Sequence, residues 1–143
     1  MTPGVRPLVA GNWKMNGMRG SLNEASAIAA QYDWGLRRSI DLLICPPATL
    51  IAPMSRQSIG SGLLTGGQDC HANASGAHTG DLSAEMIADA GGSYVIVGHS
   101  ERRAEIRKPM PLSAPRLKPP VGLGLLPLSA SVKPKSSGRR ARR

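Results

Sequence analysis

Residues 94–103 combine an apolar run with side chains that could act on a substrate. The run Tyr94–Val97 is rich in β-branched residues and predicts a buried strand, after which the chain switches to Gly98 and a polar, charged stretch. In α/β folds ligands bind beyond the carboxyl ends of the strands, so His99 and Glu101 are candidate site residues. A single histidine is a weak motif, and a surface histidine beside a solvated charge cluster fits this stretch equally well.

A second stretch of the same kind lies near the N-terminus. An apolar run is followed directly by the sequence GNWKMNG at residues 11–17. Taken alone, Lys14 fits a solvated surface lysine and Asn12 fits a turn residue. Together with VGHSERR at residues 97–103, GNWKMNG resembles the triosephosphate isomerase family. The resemblance runs from about residue 6 to about residue 104 in the family's order and spacing.

The resemblance implies an enzyme of glycolysis and gluconeogenesis that interconverts dihydroxyacetone phosphate and glyceraldehyde 3-phosphate through an enediolate, with neither a cofactor nor a metal. This reaction needs a base for a carbon-bound proton, an electrophile for the carbonyl and a cation for the developing negative charge. By resemblance, His99 is the neutral electrophile, Lys14 attracts the anionic substrate and stabilises the enediolate, and Asn12 hydrogen-bonds the substrate. A small phosphorylated triose is therefore the expected partner.

The same resemblance assigns supporting roles to other positions. Ser100 and Glu101 lie where a short helix behind the site would begin, and Glu101 is not the proton-abstracting base. Thr79 matches the family's dimer-locking loop and is expected to reach into a partner subunit, so a homodimer is implied. Simpler roles are expected for the rest, namely structural ion pairs for Arg102 and Arg103, and surface or supporting polar groups for Asp69, His71 and His78.

The chain is too short for a complete barrel of the implied fold. Its 143 residues and 41% hydrophobic content suit one domain, whereas a (β/α)8 barrel needs roughly 250 residues. We therefore predict an α/β chain that forms an incomplete TIM (β/α)8 barrel of about the first four βα units. The predicted strands are 7–11, 41–45, 63–68 and one from residue 94, the third weakened by its glycines. The predicted helices are 21–35, with a capping box from Ser21 to Glu24, then 49–58 and 83–91.

Two further features bound the class of protein. No apolar run approaches the roughly 20 residues of a membrane span, and the N-terminus has no signal-peptide pattern. The expected location is therefore the cytoplasm, with no membrane partner. Cys45 and Cys70 are too few and too far apart for a metal cluster or a disulfide framework, so we interpret them as reduced thiols.

All of the net charge of +9 lies in the last part of the chain. Residues 1–104 balance eight Lys or Arg against eight Asp or Glu, whereas residues 105–143 carry ten against the single acid Glu105. This tail shows no helical or strand periodicity, so we predict a half-barrel domain at 1–104 and an irregular or disordered basic tail at 105–143. Because basic arms bind polyanions, a nucleic-acid or anionic-surface binder is the alternative function, although nucleic acid is not the expected partner.

The tail also resembles a GC-rich message translated in a wrong frame. Codons for residues 126–135 permit the shifted reading AIVCVGETK, and codons for residues 106–112 permit PETDAL, both similar to the isomerase family. We therefore predict a frameshift shortly after Arg103. The catalytic base and phosphate-binding loops, which the family carries on later strands, then have no counterpart here. We expect a nearly inactive fragment whose first and fourth strands are bare edges.

Overall fold

A computed structural model of the chain describes residues 6–99 and the backbone of residues 126–129. One sheet contains five strands in the order β1-β2-β3-β4-β5, and every neighbouring pair is parallel. The strands are β1 Leu8–Asn12, β2 Asp41–Cys45, β3 Leu63–Gly67, β4 Tyr94–Val97 and β5 Leu126–Ser129. The helices are α1 Leu22–Gln31, α2 Trp34–Ser39, α3 Ile51–Gln57 and α4 Ala84–Asp89, with 3-10 turns at Arg19–Ser21 and Ala48–Leu50. The first four strands alternate with helices as in half of a (β/α)8 barrel, which confirms the predicted architecture.

The strand β2 is buried on both faces of the sheet. Successive side chains of a strand point to opposite faces, so its apolar run DLLIC fills two separate cores. On one face, Leu43 and Cys45 pack with Ile96 of β4. On the other face, Ile44 packs against residues of α1 and α3, including Ala25 and Met54. The helices therefore cover one side of the sheet, as βαβ crossovers require.

The predicted long first helix is two helices. The helix α1 ends at Gln31, and α2 begins after Asp33. The Asp33 carboxylate accepts a hydrogen bond from the Leu36 N–H at 2.9 Å. This N-cap starts a new helix where the sequence pattern predicted a continuation. The predicted capping box is also wrong, because the Ser21 hydroxyl accepts from the Met18 N–H at 3.1 Å and belongs to the preceding 3-10 turn.

The last described helix, α4, has the predicted start and stop. The Ser83 hydroxyl caps its first turn by accepting from the Met86 N–H at 3.3 Å. At its end, Gly91 has φ 91 and donates to the Ala88 carbonyl at 2.8 Å. The next N–H, of residue 92, reaches back to the carbonyl of residue 87, which completes a Schellman motif. No helix in the described part of the chain has the length and apolarity to cross a membrane.

The structure corrects one expectation for the tail, where no strand was predicted. Leu126–Ser129 pairs in parallel along all of β4, with Tyr94 opposite Leu126 and Val97 opposite Ser129. Pro127 interrupts any strand pattern in the sequence, yet a short edge strand tolerates proline, and the open edge of β4 offers main-chain partners. The fourth strand is therefore not a bare edge. The remaining tail residues lie outside the described residues.

The glycines of β3 make room for neighbouring groups. A Cβ at Gly66 would lie 2.8 Å from the Tyr94 carbonyl oxygen and 2.9 Å from the Cys45 sulfur. We expect Gly66→Ala to lower the free energy of unfolding by about 1–3 kcal/mol, because the main chain of β4 cannot yield. The matched control is Gly11→Ala in β1, where the nearest atom would be 3.9 Å away. The measurement is urea unfolding, and equal midpoint urea concentrations for the two variants would contradict this account.

Candidate active site

The carboxyl ends of β1, β3 and β4 lie along one edge of the sheet. Asn12 is the last residue of β1, Gln68 follows β3 directly, and His99 comes two residues after β4. Because all of these strands are parallel, their polar side chains meet at that edge, beyond the apolar core. The structure thus brings together the predicted site residues Asn12, Lys14 and His99, and it adds Gln68 between them.

Lys14 has an unusual backbone conformation. Its φ of 54 lies in the left-handed region, and it is the one described non-glycine residue with a positive φ. The Lys14 N–H donates to the Asn12 side-chain oxygen at 2.8 Å, which stabilises this local turn. A residue other than glycine adopts this left-handed conformation at a cost of about 1–3 kcal/mol. Residues strained in this way occur often at functional sites. Lys14 is exposed at this edge of the sheet.

Gln68 connects the loop after β1 to the histidine after β4. Its side-chain amide donates to the Lys14 carbonyl at 2.8 Å and to the Cys45 carbonyl at 3.0 Å. Its main-chain carbonyl accepts a hydrogen bond from Nε2 of His99. The sequence pattern predicts Gln68 only as the last residue of the third strand. The signal for it was available, because Gln68 is the first polar residue after β3, just as His99 is after β4.

His99 is buried, and its ring is held by main-chain carbonyls. Besides the Gln68 carbonyl, the Ile96 carbonyl oxygen lies 3.2 Å from Nε2. Carbonyl oxygens only accept, so Nε2 carries a hydrogen in this arrangement. To polarise a substrate carbonyl through Nε2, the imidazole must exchange these acceptors for the substrate oxygen. Gly98, with φ 79, precedes it in a left-handed conformation that favours glycine.

The other predicted residues are not part of this group. Thr79 lies in the exposed loop between β3 and α4, where the rings of His71 and His78 stack with centroids 3.8 Å apart. Asp69 follows Gln68 and is half-buried. Ser100, Glu101, Arg102 and Arg103 lie outside the described residues.

Both cysteines are held as neutral thiols near this edge. Burial raises the pKa of Cys45 to about 12. Burial also raises the pKa of Cys70, and the carboxylates of Asp69 and Glu85 raise it further. Neither cysteine is therefore a thiolate nucleophile at neutral pH.

The raised pKa of Cys45 predicts a loss of stability at alkaline pH. An unfolded chain ionises this thiol near 9.0, whereas the folded chain does so only near about 12. The folded state therefore binds the thiol proton more tightly than the unfolded state does. The stability that this contributes is lost as the pH rises through this range. We expect the free energy of unfolding to fall by up to about 1.4 kcal/mol per pH unit above pH 9. Urea unfolding of wild type and Cys45→Ala from pH 8 to 11 tests this, and equal pH dependence in the two proteins would contradict it.

A parallel sheet alternating with helices, with polar groups at the carboxyl ends of its strands, defines part of a (β/α)8-barrel enzyme. A family model described as triosephosphate isomerase matches residues 7–120. The chain belongs to the triosephosphate isomerase family. The match extends past residue 104, where the resemblance in the sequence was predicted to stop.

Individual relatives agree with this assignment. A triosephosphate isomerase of Afipia carboxidovorans is 64% identical over 103 residues, which are 71% of this chain and 40% of the relative. One of Xanthobacter autotrophicus is 50% identical over 123 residues, covering 86% of this chain and 48% of the relative. The crystal structure of triosephosphate isomerase from Bartonella henselae superposes with a TM-score of 0.63 at 52% identity, covering 69% of this chain and 40% of that structure. The chain thus spans less than half the length of these relatives.

Proposed function

We propose that Asn12, Lys14 and His99 form the electrophilic half of a triosephosphate isomerase site. Its substrates are dihydroxyacetone phosphate and glyceraldehyde 3-phosphate, its pathways are glycolysis and gluconeogenesis, and its compartment is the cytoplasm. The observation that carries the proposal is the link through Gln68, which joins the main chain of Lys14 to the imidazole of His99. Family membership supports the choice of substrate.

Each of the three side chains has a role suited to its position. The exposed ammonium of Lys14 attracts the substrate phosphate and offsets charge on the enediolate oxygens. The Asn12 amide, at the end of β1, hydrogen-bonds the substrate while its oxygen holds the Lys14 N–H. His99 donates its ring N–H to the substrate carbonyl after exchanging its main-chain acceptors. Ser100 and Glu101 are proposed to support the imidazole from behind.

We also propose that the 143-residue polypeptide, as written, is a nearly inactive fragment produced by a shifted reading frame. The relatives align with it over 40% and 48% of their own lengths, so the greater part of each has no counterpart in the alignment. The shifted reading of residues 126–135 supports the frame proposal, because it resembles the family's fifth strand.

Restoring the frame tests the assignment of function. The frame-restored chain is made by inserting or deleting one or two bases after the Arg103 codon. We expect it to interconvert the two triose phosphates at a rate ordinary for an isomerase. Replacing His99 by Gln in it should lower kcat by about 10²–10³. An inactive frame-restored chain that unfolds cooperatively, or full activity with His99→Gln, would refute the proposed site.

The proposed homodimer uses the loop that carries Thr79. Thr79 is exposed, and its loop connects β3 to α4. We expect Thr79→Arg to shift the frame-restored chain toward monomers in light scattering, because the added charge would be buried against the partner. Gln31→Arg adds the same charge at the exposed end of α1 and should leave the dimer intact. Equal molar masses for the two variants would exclude this loop from the interface.

The alternative function remains binding to nucleic acid or another anionic surface. The observation in its favour is that residues 105–143 carry ten Lys or Arg against one acid. Such binding should weaken steeply with salt and disappear when the residues after Ala104 are deleted. If the chain without these residues still bound duplex DNA, the binding site would lie elsewhere in the molecule.

A further inference from the structure

The loop between β3 and α4 holds three side chains of types that bind transition metals. His71, His78 and Asp81 each offer a ligand atom, and these atoms all lie within 4.8 Å of one another. None of the three belongs to the proposed group of Asn12, Lys14 and His99, although their loop is the one proposed to meet a partner subunit. Two imidazole nitrogens and one carboxylate oxygen suit Zn²⁺ and its first-row neighbours better than Ca²⁺ or Mg²⁺, which prefer oxygen ligands alone.

Main-chain hydrogen bonds hold the three residues near one another. The His71 N–H donates to the Leu82 carbonyl at 2.7 Å, which joins the two ends of the loop. The Asp81 N–H donates to the His78 carbonyl at 3.0 Å and closes a four-residue turn. Gly80, at φ 94, occupies the third position of this turn, where a type II turn requires a positive φ. The turn therefore holds Asp81 beside His78. The hydrogen bond between His71 and Leu82 keeps both residues near His71.

The two imidazole rings are in contact and present acceptor nitrogens. Their planes are inclined by 27°. The Asn73 main-chain N–H donates to Nδ1 of His71 at 3.0 Å, and the Asn73 side-chain nitrogen lies 3.3 Å from Nε2 of His78. Amide nitrogens only donate, so both ring nitrogens act as acceptors and carry the lone pairs that a metal needs. Asn73 thus holds the rings in a form that can bind a cation.

A small cavity borders the same side chains. Its volume is about 40 Å³, and its lining includes His71, His78 and Asp81 together with Asn73 and Ser83. A single water needs at least about 10–15 Å³ of such space, so the cavity has room for an ion with a bound water. An organic ligand needs a pocket of roughly 300 Å³ or more.

We propose that His71, His78 and Asp81 bind one Zn²⁺ ion in this loop, with water completing its coordination. Zinc bonds of about 2.0–2.2 Å place tetrahedral ligand atoms roughly 3.4 Å apart, so the loop contracts and the rings rotate until their lone pairs converge. The hydrogen bonds from Asn73 are exchanged for metal bonds. The Asp81 carboxylate supplies the negative charge, and the bound ion fixes the loop over residues 71–82.

The test uses the untagged 143-residue chain and Zn²⁺ alone, titrated in competition with a chromophoric chelator. We expect one ion per chain. His78→Ala and Asp81→Ala should each weaken binding by about tenfold or more, because removing a ligand has at least the effect of removing an outer-shell partner. Both side chains are exposed in a loop, so neither replacement disturbs the sheet.

Two control variants separate this site from binding by other groups. His99→Gln removes the remaining histidine, and Cys70→Ser removes the thiol next to His71. Both should keep the wild-type affinity. Zinc binding that is unchanged in His78→Ala and Asp81→Ala, or lost in Cys70→Ser, would overturn the proposal.

A chemical footprint gives a second readout that does not depend on a high affinity. Diethylpyrocarbonate acylates accessible histidines, and mass spectrometry locates the modified residues. Zn²⁺ at excess concentration is expected to slow modification of His71 and His78 at least about tenfold and to leave His99 unchanged. Equal modification of His78 with and without Zn²⁺ would also overturn the proposal.

Discussion

The purified 143-residue chain is expected to isomerise glyceraldehyde 3-phosphate at least about 10⁴-fold more slowly than the frame-restored chain. A positioned general base typically contributes about 10²–10⁴ to such a rate. Contacts to the non-reacting phosphate contribute further, because they hold the substrate in the reactive geometry. In the proposed site, Lys14, Asn12 and His99 stabilise negative charge only once a base has removed the proton, so we expect their presence alone to restore little of this rate.

The measurement is a coupled assay of triose phosphate turnover on protein from a host that lacks its own isomerase. The matched control is Lys14→Met in the same 143-residue chain. If a trace of activity is intrinsic, this variant removes it, whereas a contaminating enzyme gives equal rates in both preparations. Turnover within about tenfold of the frame-restored chain, and lost with Lys14→Met, would show that the fragment carries a working base.

The gene itself supplies the most direct test of the frame proposal. Resequencing the codons for residues 99–116 distinguishes an error in the recorded bases from a true shift. Recovery of PETDAL and IVCVGET by one or two bases would extend the family-like reading beyond residue 103, next to the proposed site residues His99 and Lys14. Unchanged bases mean that the shifted tail is encoded.

The sequence predicted the elements that are fixed by local pattern. The apolar run of β2 matches its predicted bounds, because DLLIC is buried on both faces and ends at consecutive prolines. The pattern of α4, with Ser83 before it and Gly91 after it, placed both ends correctly, since both caps use neighbouring residues. In these cases the interactions that set the boundary lie within a few residues of it.

Features set by distant contacts escaped prediction. One local feature was missed as well: the helical pattern continues through Asp33, whose carboxylate accepts from the Leu36 N–H and starts α2 as a separate helix. The strand β5 forms on the edge that β4 offers, and its own sequence carries no strand pattern. Gln68 joins Lys14, 54 residues away, to His99, 31 residues away. The sequence motifs identified Lys14 and His99, whereas Gln68, which connects them, is identified only by the fold.

In the frame-restored chain, Lys14→Met is expected to lower kcat by about 10²–10³ and to raise KM for the anionic substrate. The left-handed φ of 54 and the two hydrogen bonds at the main chain of Lys14 fix where its side chain leaves the loop. In the proposed mechanism, charge develops on the enediolate at this same edge of the sheet. Met retains the length and volume of the stem but removes the charge.

Two companion variants separate charge from geometry at this position. Arg19→Met removes an exposed cation from the nearby 3-10 turn and should leave kcat within about twofold, because a surface charge outside the site acts only weakly through solvent. Lys14→Arg keeps the charge but spreads it over a planar guanidinium, so it should restore KM more than kcat. If Lys14→Met and Arg19→Met lowered turnover equally, Lys14 would act through the general field of the protein. A selective loss with Lys14→Met, partly recovered by Lys14→Arg, places the lysine ammonium against the reacting oxygens.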